Sequence, residues 1–286
     1  MRLKDLLKDK VPKEKIELIP NSFEIIGSKE KAVAIVEINE DLKEFEKDIA
    51  KTIISLNKNV KTILTKRSKR RGEERLREFE IIYGESNTEV LHKEFGYVLK
   101  LDPLKVYFSP REALERKRIA SKVKQSEEVL IMFSGVAPFA IAIAKLNPVI
   151  KKIYCIELNK DAHRYAEENV RINKVSHLIV LINGDVREVS KKLNKKFDRI
   201  LMPLPLRSLD YIDIAVKLLK EKGTIHFYSI SDEKNLFNDV KEKLNEKLKK
   251  TNITFSIKDQ RKVLPYAPRK WKVCLDIEVM KKTEKH

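Results

Sequence analysis

Three residues stand where a chain of this kind does chemistry: Gly135, Glu157 and Asp185. Gly135 breaks an apolar, β-prone run, VLIMFSGVAPF from Val129 to Phe139, that resumes as the helix-forming AIAIAKL, a strand, tight turn and helix. A second apolar run, IYCIELN, reaches Glu157 22 residues after Gly135, about where a doubly wound sheet places a carboxylate that accepts from a ribose hydroxyl. A third, HLIVLIN, leads to Gly184-Asp185. The Asp185 carboxylate is an acceptor only, suited either to the exocyclic amine of adenine or to capping the helix VREVSKKL, and the sequence leaves both open. The loop is not that of a dinucleotide site. Ala137 and Pro138 stand where a GxGxxG loop keeps glycines, and a pyrophosphate needs close backbone approach at several such points. A ligand with adenine, ribose and a charged amino-acid tail but no phosphate there fits better, which describes S-adenosyl-L-methionine. A ligand-free strand, turn and helix is the competing reading, and the spacing to Glu157 counts against it.

These residues need a sheet to hold them, and the second half of the chain supplies its pattern. Strand and helix signals alternate through VLIMF, KKIYCIE, HLIVLIN, FDRILMPLP and GTIHFYSI, which means a mainly parallel sheet covered by helices on both faces. ITFSIKD and WKVCLDIEV follow with only PYAPRK between them, too short for a crossover helix, so they pair as an antiparallel hairpin. Five βα units closed by such a hairpin match the class I, Rossmann-like sheet of S-adenosyl-L-methionine-dependent methyltransferases. Ligands of such sheets lie beyond the carboxyl ends of the strands. Phe133 to Pro138, Glu157 and Leu158, Asp185 and Val186, and Pro203, Leu204 and Pro205 occupy those ends.

Residues 1–100 form a separate expectation, a small α+β domain, with 101–286 as the α/β domain. SFEIIGSKEKAVAIVEIN reads as two strands about a Gly-Ser turn, DLKEFEKDIAKTIISLN as an amphipathic helix, and NVKTILTKRS, EERLREFEIIYGE and TEVLHKEFGYVLKLD as further strands. The segment from Leu101 to Val123 bridges the two, with Ser109-Pro110 as a helix start.

The net charge of +18 points to a polyanion, and nucleic acid is the leading partner because the surplus is uneven, concentrated in KTILTKRSKRRGEERLR. No window of about 18 apolar residues and no signal-peptide h-region is present, so the expectation is a soluble, cytoplasmic monomer without membrane contact. Cys155 and Cys274 lie in apolar runs, and His92, His163 and His226 show no HxxxH or HxH pairing, so no metal is expected.

Six ordered motifs carry a resemblance: RLREFE at Arg75–Glu80, KVYFSPR…ER at Lys105–Arg116, MFSGVAPF at Met132–Phe139, GDVRE at Gly184–Glu188, DRILMPLP at Asp198–Pro205 and YAPR at Tyr266–Arg269. They resemble the archaeal tRNA (guanine-N1)-methyltransferases that modify the base 3′ to the anticodon, at position 37, over roughly residues 20–280. The resemblance implies S-adenosyl-L-methionine as cofactor and the anticodon stem-loop of tRNA as partner. It implies Glu115 as the base that takes the N1 proton and Arg75 as the cation near O6, where enolate-like charge develops. It also implies Tyr107, Phe108 and Arg116 beside the cofactor or base. The tRNA backbone would be gripped by Lys66, Arg67, Lys69, Arg70, Arg71 and by Arg269 and Lys270 near Trp271. Plainer readings stand beside these: Glu115 as an exposed first-turn carboxylate and Arg75 as one more phosphate contact.

Three departures bear on substrate range. The family's usual MFAGVGPF is MFSGVAPF here, with Ile131 in place of an Asp before Met132; its usual NLP or NPP is PLP, with Pro203 for Asn; and its extra amino-terminal domain is not seen. A sister branch, the aminocarboxypropyl transferases of wybutosine synthesis, shares the fold and several motifs. A non-catalytic RNA-binding protein is a third reading, supported by Ile131, Ala137 and Pro203 alone.

Overall fold

The computed structural model describes residues 3–67, 78–249 and 251–282. They divide into two compact units, residues 1–110 and 111–286. The change of unit thus falls ten residues after the expected 100/101, for a local reason: the chain stays tied to the first unit through Asp102 and Phe108. Asp102 accepts from the Thr88 hydroxyl at 2.5 Å and from the Leu104 amide at 3.0 Å, and Phe108 packs edge-on against His92 at 5.1 Å.

In the first unit α1 (Leu3–Leu7) precedes β1 (Glu24–Gly27), β2 (Ala32–Val36), α2 (Glu46–Leu56), β3 (Val60–Lys66), β4 (Phe79–Gly84), β5 (Val90–Glu94) and β6 (Tyr97–Leu101). β1 to β4 lie side by side in chain order, with β2 and β3 parallel, and β5 and β6 form a separate hairpin. The crossover between the parallel strands is α2, whose Ile49, Ala50 and Ile53 are spaced to share one face and are fully buried. Gly27 has φ of 144°, and a Cβ there would run into the Lys31 carbonyl, so the expected Gly-Ser turn needs its glycine.

The second unit runs α3 (Ala113–Lys122), β7 (Glu128–Met132), α4 (Pro138–Leu146), β8 (Lys152–Glu157), α5 (Lys160–Ile172), β9 (Ile179–Asn183), α6 (Val186–Lys192), β10 (Phe197–Met202), α7 (Ser208–Leu218), β11 (Leu219–Asp232), α8 (Asn238–Leu248), β12 (Ile253–Ala267) and β13 (Lys270–Lys281). Among the described residues its sheet has seven strands in the order β12-β13-β11-β10-β7-β8-β9. β7 to β11 are parallel; β13 pairs antiparallel with both β11 and β12. This is the expected doubly wound α/β sheet. Its switch point lies between β7 and β10, because the chain leaves β7 toward β8 and β9 and returns to add β10 on the other side.

The closing hairpin is tighter than the sequence suggests. PYA of PYAPRK belongs to β12 and Lys270 to β13, leaving Pro268-Arg269 as the turn, with Arg269 at φ of 56°. β7 is buried along its length, and Leu130, Met132, Ile200, Met202, Ile225 and Phe227 form the middle of the core beneath α7 and α8. No helix among the described residues is long and apolar enough to cross a membrane.

Candidate cofactor site and catalytic carboxylate

The loop leaving β7 is wound tightly. Phe133, Gly135 and Ala137 all have positive φ, at 65°, 56° and 65°, a left-handed backbone that costs an L-residue about 1–2 kcal/mol. Pro138 then opens α4 with its fixed φ and no amide to satisfy. Hydrogen bonds hold the loop against β8: Ser134 N–H donates to the Ile156 carbonyl at 3.0 Å and Gly135 N–H to Glu157 Oε2 at 2.6 Å. The other Glu157 oxygen accepts from Asn159 N–H at 2.9 Å, and the Glu157 carbonyl from Gly184 N–H at 2.9 Å. Glu157 therefore ties three strand ends together, those of β7, β8 and β9.

The strand register brings the other candidates to the same edge. Met132 pairs with Ile156, Glu157 with Asn183, and Ile131 with Leu201, so Phe133, Leu158, Val186 and Pro203 to Pro205 all follow carboxyl ends in one row. Leu158 is exposed there, Phe133 half-buried, and Val186, Pro203, Leu204 and Pro205 buried. Phe133 meets Tyr211 of α7 edge-on at 4.8 Å. Buried Ser208 donates to the carbonyls of Met202 and Leu204, at 3.1 and 2.7 Å, which fixes the PLP turn. Such an edge suits an adenosine. Apolar side chains line it, and Glu157, an acceptor only, closes β8 there.

Asp185 fills the capping role. Its carboxylate accepts from Arg187 N–H at 2.8 Å at the start of α6 and pairs with the Arg187 guanidinium at 2.5 Å, which, with burial opposing, lowers its pKa.

Glu115 is no exposed first-turn acid: it is 3 % exposed, on the face of α3 turned to β11 and β13. Arg118 grips it with two prongs, Nε to Oε2 at 2.8 Å and Nη2 to Oε1 at 2.7 Å, and Tyr228 donates its phenol to Oε1 at 2.7 Å. Tyr228 stays a donor because burial, then the neighbouring Cys274 and Glu115, push its pKa well above normal. The third guanidinium nitrogen of Arg118 reaches Asp276 Oδ2 at 2.7 Å. Asp276 also takes Lys122 at 2.6 Å and His226 Nδ1 at 2.6 Å. Because Arg199 Nη1, which can only donate, lies 2.7 Å from His226 Nε2, the ring proton sits on Nδ1 and points at Asp276. His226 is thus neutral, consistent with burial lowering its pKa.

His226, Cys274 and Asp276 place potential metal-ligand atoms within 4.8 Å of one another. Arg118, Lys122 and Arg199 already surround them, and three cations leave no electrostatic case for a fourth. Arg116, expected beside the cofactor, is 2 % exposed and lies inside the second unit.

The TRM5/TYW2 methyltransferase domain matches residues 90–256, and the TYW2 N-terminal domain matches residues 3–88. The chain belongs to the TRM5/TYW2 methyltransferase family. Among its relatives, the tRNA (guanine(37)-N(1))-methyltransferase Trm5b of Pyrococcus abyssi is 38 % identical over 269 residues, covering 94 % of this chain and 78 % of that protein. A crystal structure of Trm5b from Pyrococcus abyssi superposes with a TM-score of 0.84 over 95 % of this chain and 78 % of that one. The tRNA(Phe) (4-demethylwyosine(37)-C(7)) aminocarboxypropyltransferase of Pyrococcus horikoshii is 30 % identical over 98 % of this chain and 97 % of that protein. A crystal structure of Pyrococcus horikoshii TYW2 in complex with MeSAdo has a TM-score of 0.79, at 28 % identity and 98 % coverage of both chains. The tRNA (guanine(37)-N(1))/4-demethylwyosine(37)-methyltransferase Taw22 of Nanoarchaeum equitans is 32 % identical over 77 % of this chain and 88 % of that protein.

In this TRM5/TYW2 member the basic residues singled out from sequence divide by what the structure does with them. The Arg67 fork is taken: Nη1 and Nη2 pair with both oxygens of Glu46 at 2.7 and 2.9 Å, and Nε with Glu80 at 2.6 Å, which raises its pKa. Lys66 pairs with the exposed Glu37 at 3.1 Å. Arg269 and Lys270 are exposed at the β12–β13 turn, next to Trp271, over whose ring Lys262 sits at 4.5 Å. Tyr107 is half-buried and Phe108 buried in the first unit. Arg75, Lys69, Arg70 and Arg71 lie outside the described residues. Arg118, Tyr228, His226 and Asp276 escaped the sequence reading. The available signal was polar residues inside the apolar runs GTIHFYSI and WKVCLDIEV, and an arginine three residues after Glu115, one helical turn away.

Proposed function

We propose that this chain transfers the methyl group of S-adenosyl-L-methionine to N1 of guanine 37 in the anticodon stem-loop of tRNA. The observation that carries the proposal is Glu115, a buried carboxylate fixed in direction by Arg118 and Tyr228 within the segment that resembles the family's base motif. Guanine N1 holds a proton and is a weak nucleophile, so transfer needs a base at that proton while charge gathers at O6. Glu115 takes the proton, and Arg75 is the cation assigned to O6. Glu157 accepts from the ribose of the cofactor, and Leu158, Val186 and Phe133 flank the adenosine. The cofactor supplies the electrophilic methyl carbon. An anticodon loop lets the target base leave its stack at modest cost, and Arg269 and Lys270, with the basic run before β4, supply phosphate contacts.

Glu115→Gln tests the assignment: both ligands still bind, and the single-turnover rate falls on the order of 10²–10⁴-fold. An unchanged rate would remove Glu115 as the base.

A second reading has its own support. The match of residues 3–88 to the TYW2 N-terminal domain favours aminocarboxypropyl transfer, which attacks a different carbon of the same sulfonium. Mass analysis of the product nucleoside separates the two.

A further inference from the structure

We propose that Tyr228 and Arg118, the latter held by Asp276, are positioning residues that select Glu115 Oε2 as the atom that accepts the substrate proton. This rests on Glu115 as the base and concerns how it is made competent. Oε1 receives two donors, Tyr228 Oη at 2.7 Å and Arg118 Nη2 at 2.7 Å, which fill both its acceptor directions. Oε2 receives Arg118 Nε at 2.8 Å, with Arg261 Nε of β12 next, at 3.9 Å and too far for a hydrogen bond. The bidentate fork fixes the plane of the carboxylate, and the Tyr228 phenol decides which oxygen is saturated.

Arg118 cannot swing away, because its remaining nitrogen is bonded to Asp276, and Asp276 is bonded in turn by Lys122 and by the Nδ1–H of His226. His226 is braced by Arg199, whose other nitrogens pair with Glu127 at 2.7 and 3.0 Å. The chain of bonds runs from α3 across β13 and β11 to β10, the rigid middle of the sheet. The groups facing Glu115 within its own unit are Arg118 of α3, Tyr228 of β11, Cys274 and Asp276 of β13, and Arg261 of β12. Behind Tyr228, Lys272 sits 4.9 Å from the ring and pairs with Glu112 at 2.7 Å.

The test measures single-turnover rate for the full chain with saturating S-adenosyl-L-methionine and tRNA, comparing the parent with Tyr228→Phe, Asp276→Asn and Glu115→Gln. Tyr228→Phe keeps the ring and removes the donor to Oε1. The expected result is a rate lower by on the order of tenfold, with both dissociation constants unchanged. Asp276→Asn, checked for folding by its melting curve, lowers the rate by less. In the Glu115→Gln background, Tyr228→Phe has no further effect, as expected for residues acting through one group. If Glu115→Gln abolishes transfer while Tyr228→Phe leaves the rate where it was, the positioning role is overturned and the base stands. If Glu115→Gln keeps the parent rate, the base assignment fails and the positioning role fails with it.

Discussion

Gly135 N–H and Asn159 N–H clamp the two oxygens of Glu157, at 2.6 and 2.9 Å, so the carboxylate that ends β8 is fixed beneath the loop that ends β7. One side chain thereby serves both the loop's shape and the expected ribose contact. Glu157→Ala loses both. Cofactor affinity should fall by about 1.5–3 kcal/mol, the usual cost of a lost hydrogen bond to a charged group, while tRNA affinity stays near the parent value. Calorimetric titration with S-adenosyl-L-methionine reads the first and filter binding the second. Parent-like cofactor affinity would remove Glu157 from the site.

Ala137 occupies a left-handed backbone that glycine adopts freely, and the resembled motif has glycine there. Ala137→Gly relieves about 1–2 kcal/mol of strain and gives back about 0.4–1 kcal/mol to the greater freedom of the unfolded chain. The Ala137 methyl is fully buried and its loss costs about 0.8 kcal/mol more, so the terms nearly cancel and the net change stays within about 1 kcal/mol. Urea unfolding of the two proteins side by side measures it, and a larger loss would contradict the strain at this position.

Asp276 ties acid stability to the buried network. Burial alone would raise its pKa, but the Nδ1–H hydrogen bond of His226, then Arg118 and Lys122, hold it well below the ordinary carboxylate range. A folded value below the unfolded one, about 3.9, means the stabilisation is complete above that pH and is lost as pH falls toward the folded value. The stability difference between parent and Asp276→Asn should therefore be level from pH 7 to about 5 and shrink below about 4. Chemical denaturation at pH 7, 5 and 3 measures it, and a difference that stays constant to pH 3 would contradict the assignment.

Arg67 and the run from Lys69 to Arg71 separate two meanings of a basic residue. The Arg67 fork is committed to Glu46 and Glu80, so Arg67→Ala should cost about 1–2 kcal/mol of stability and leave the salt dependence of tRNA binding unchanged. Charge reversal across Lys69, Arg70 and Arg71 should instead weaken tRNA binding and flatten its slope against salt. A slope unaltered by the reversal would mark that run as solvated surface.

The contrast shows what a linear sequence discloses. The βα alternation from Val129 onward, the edge formed by Gly135, Glu157, Asp185 and Pro203, and the closing hairpin were all legible because they depend on local pattern and on residues next to strand ends. The capping role of Asp185 was an open alternative, whereas Arg67 was set among the tRNA contacts, since a partner such as Glu46, 21 positions away, cannot be read from spacing. The Glu115 network was hidden more deeply. Arg118 and Asp276 lie 158 positions apart, and only the pairing of β11 with β13 brings His226 opposite Asp276. Phe108 and Asp102 extended the first unit past residue 100 through contacts with His92 and Thr88, again invisible as periodicity.

The PLP turn suggests a wider substrate range. From Pro203 to Leu206 no side chain offers a hydrogen-bond donor, and the Ser208 hydroxyl beyond them is spent on the carbonyls of Met202 and Leu204. A pocket wall without a polar clamp should accept both guanine and its tricyclic derivative 4-demethylwyosine, the pair of substrates in the name of the Nanoarchaeum equitans relative. Two tRNAs, one carrying each base at position 37, are incubated with methyl-labelled cofactor. Label in both nucleosides is the expected outcome; label in 1-methylguanosine alone restricts the enzyme to guanine.

Methyl transfer to N1 of guanine 37 is read in the product nucleoside itself. Transcribed tRNA with guanine at position 37 is incubated with the protein and S-adenosyl-L-methionine, digested to nucleosides and analysed by mass. The expected product is 1-methylguanosine, formed by the parent and lost in Glu115→Gln. Unmodified guanosine throughout, in a protein shown to bind cofactor and tRNA, would contradict it, as would an aminocarboxypropyl adduct on a 4-demethylwyosine tRNA with no 1-methylguanosine formed.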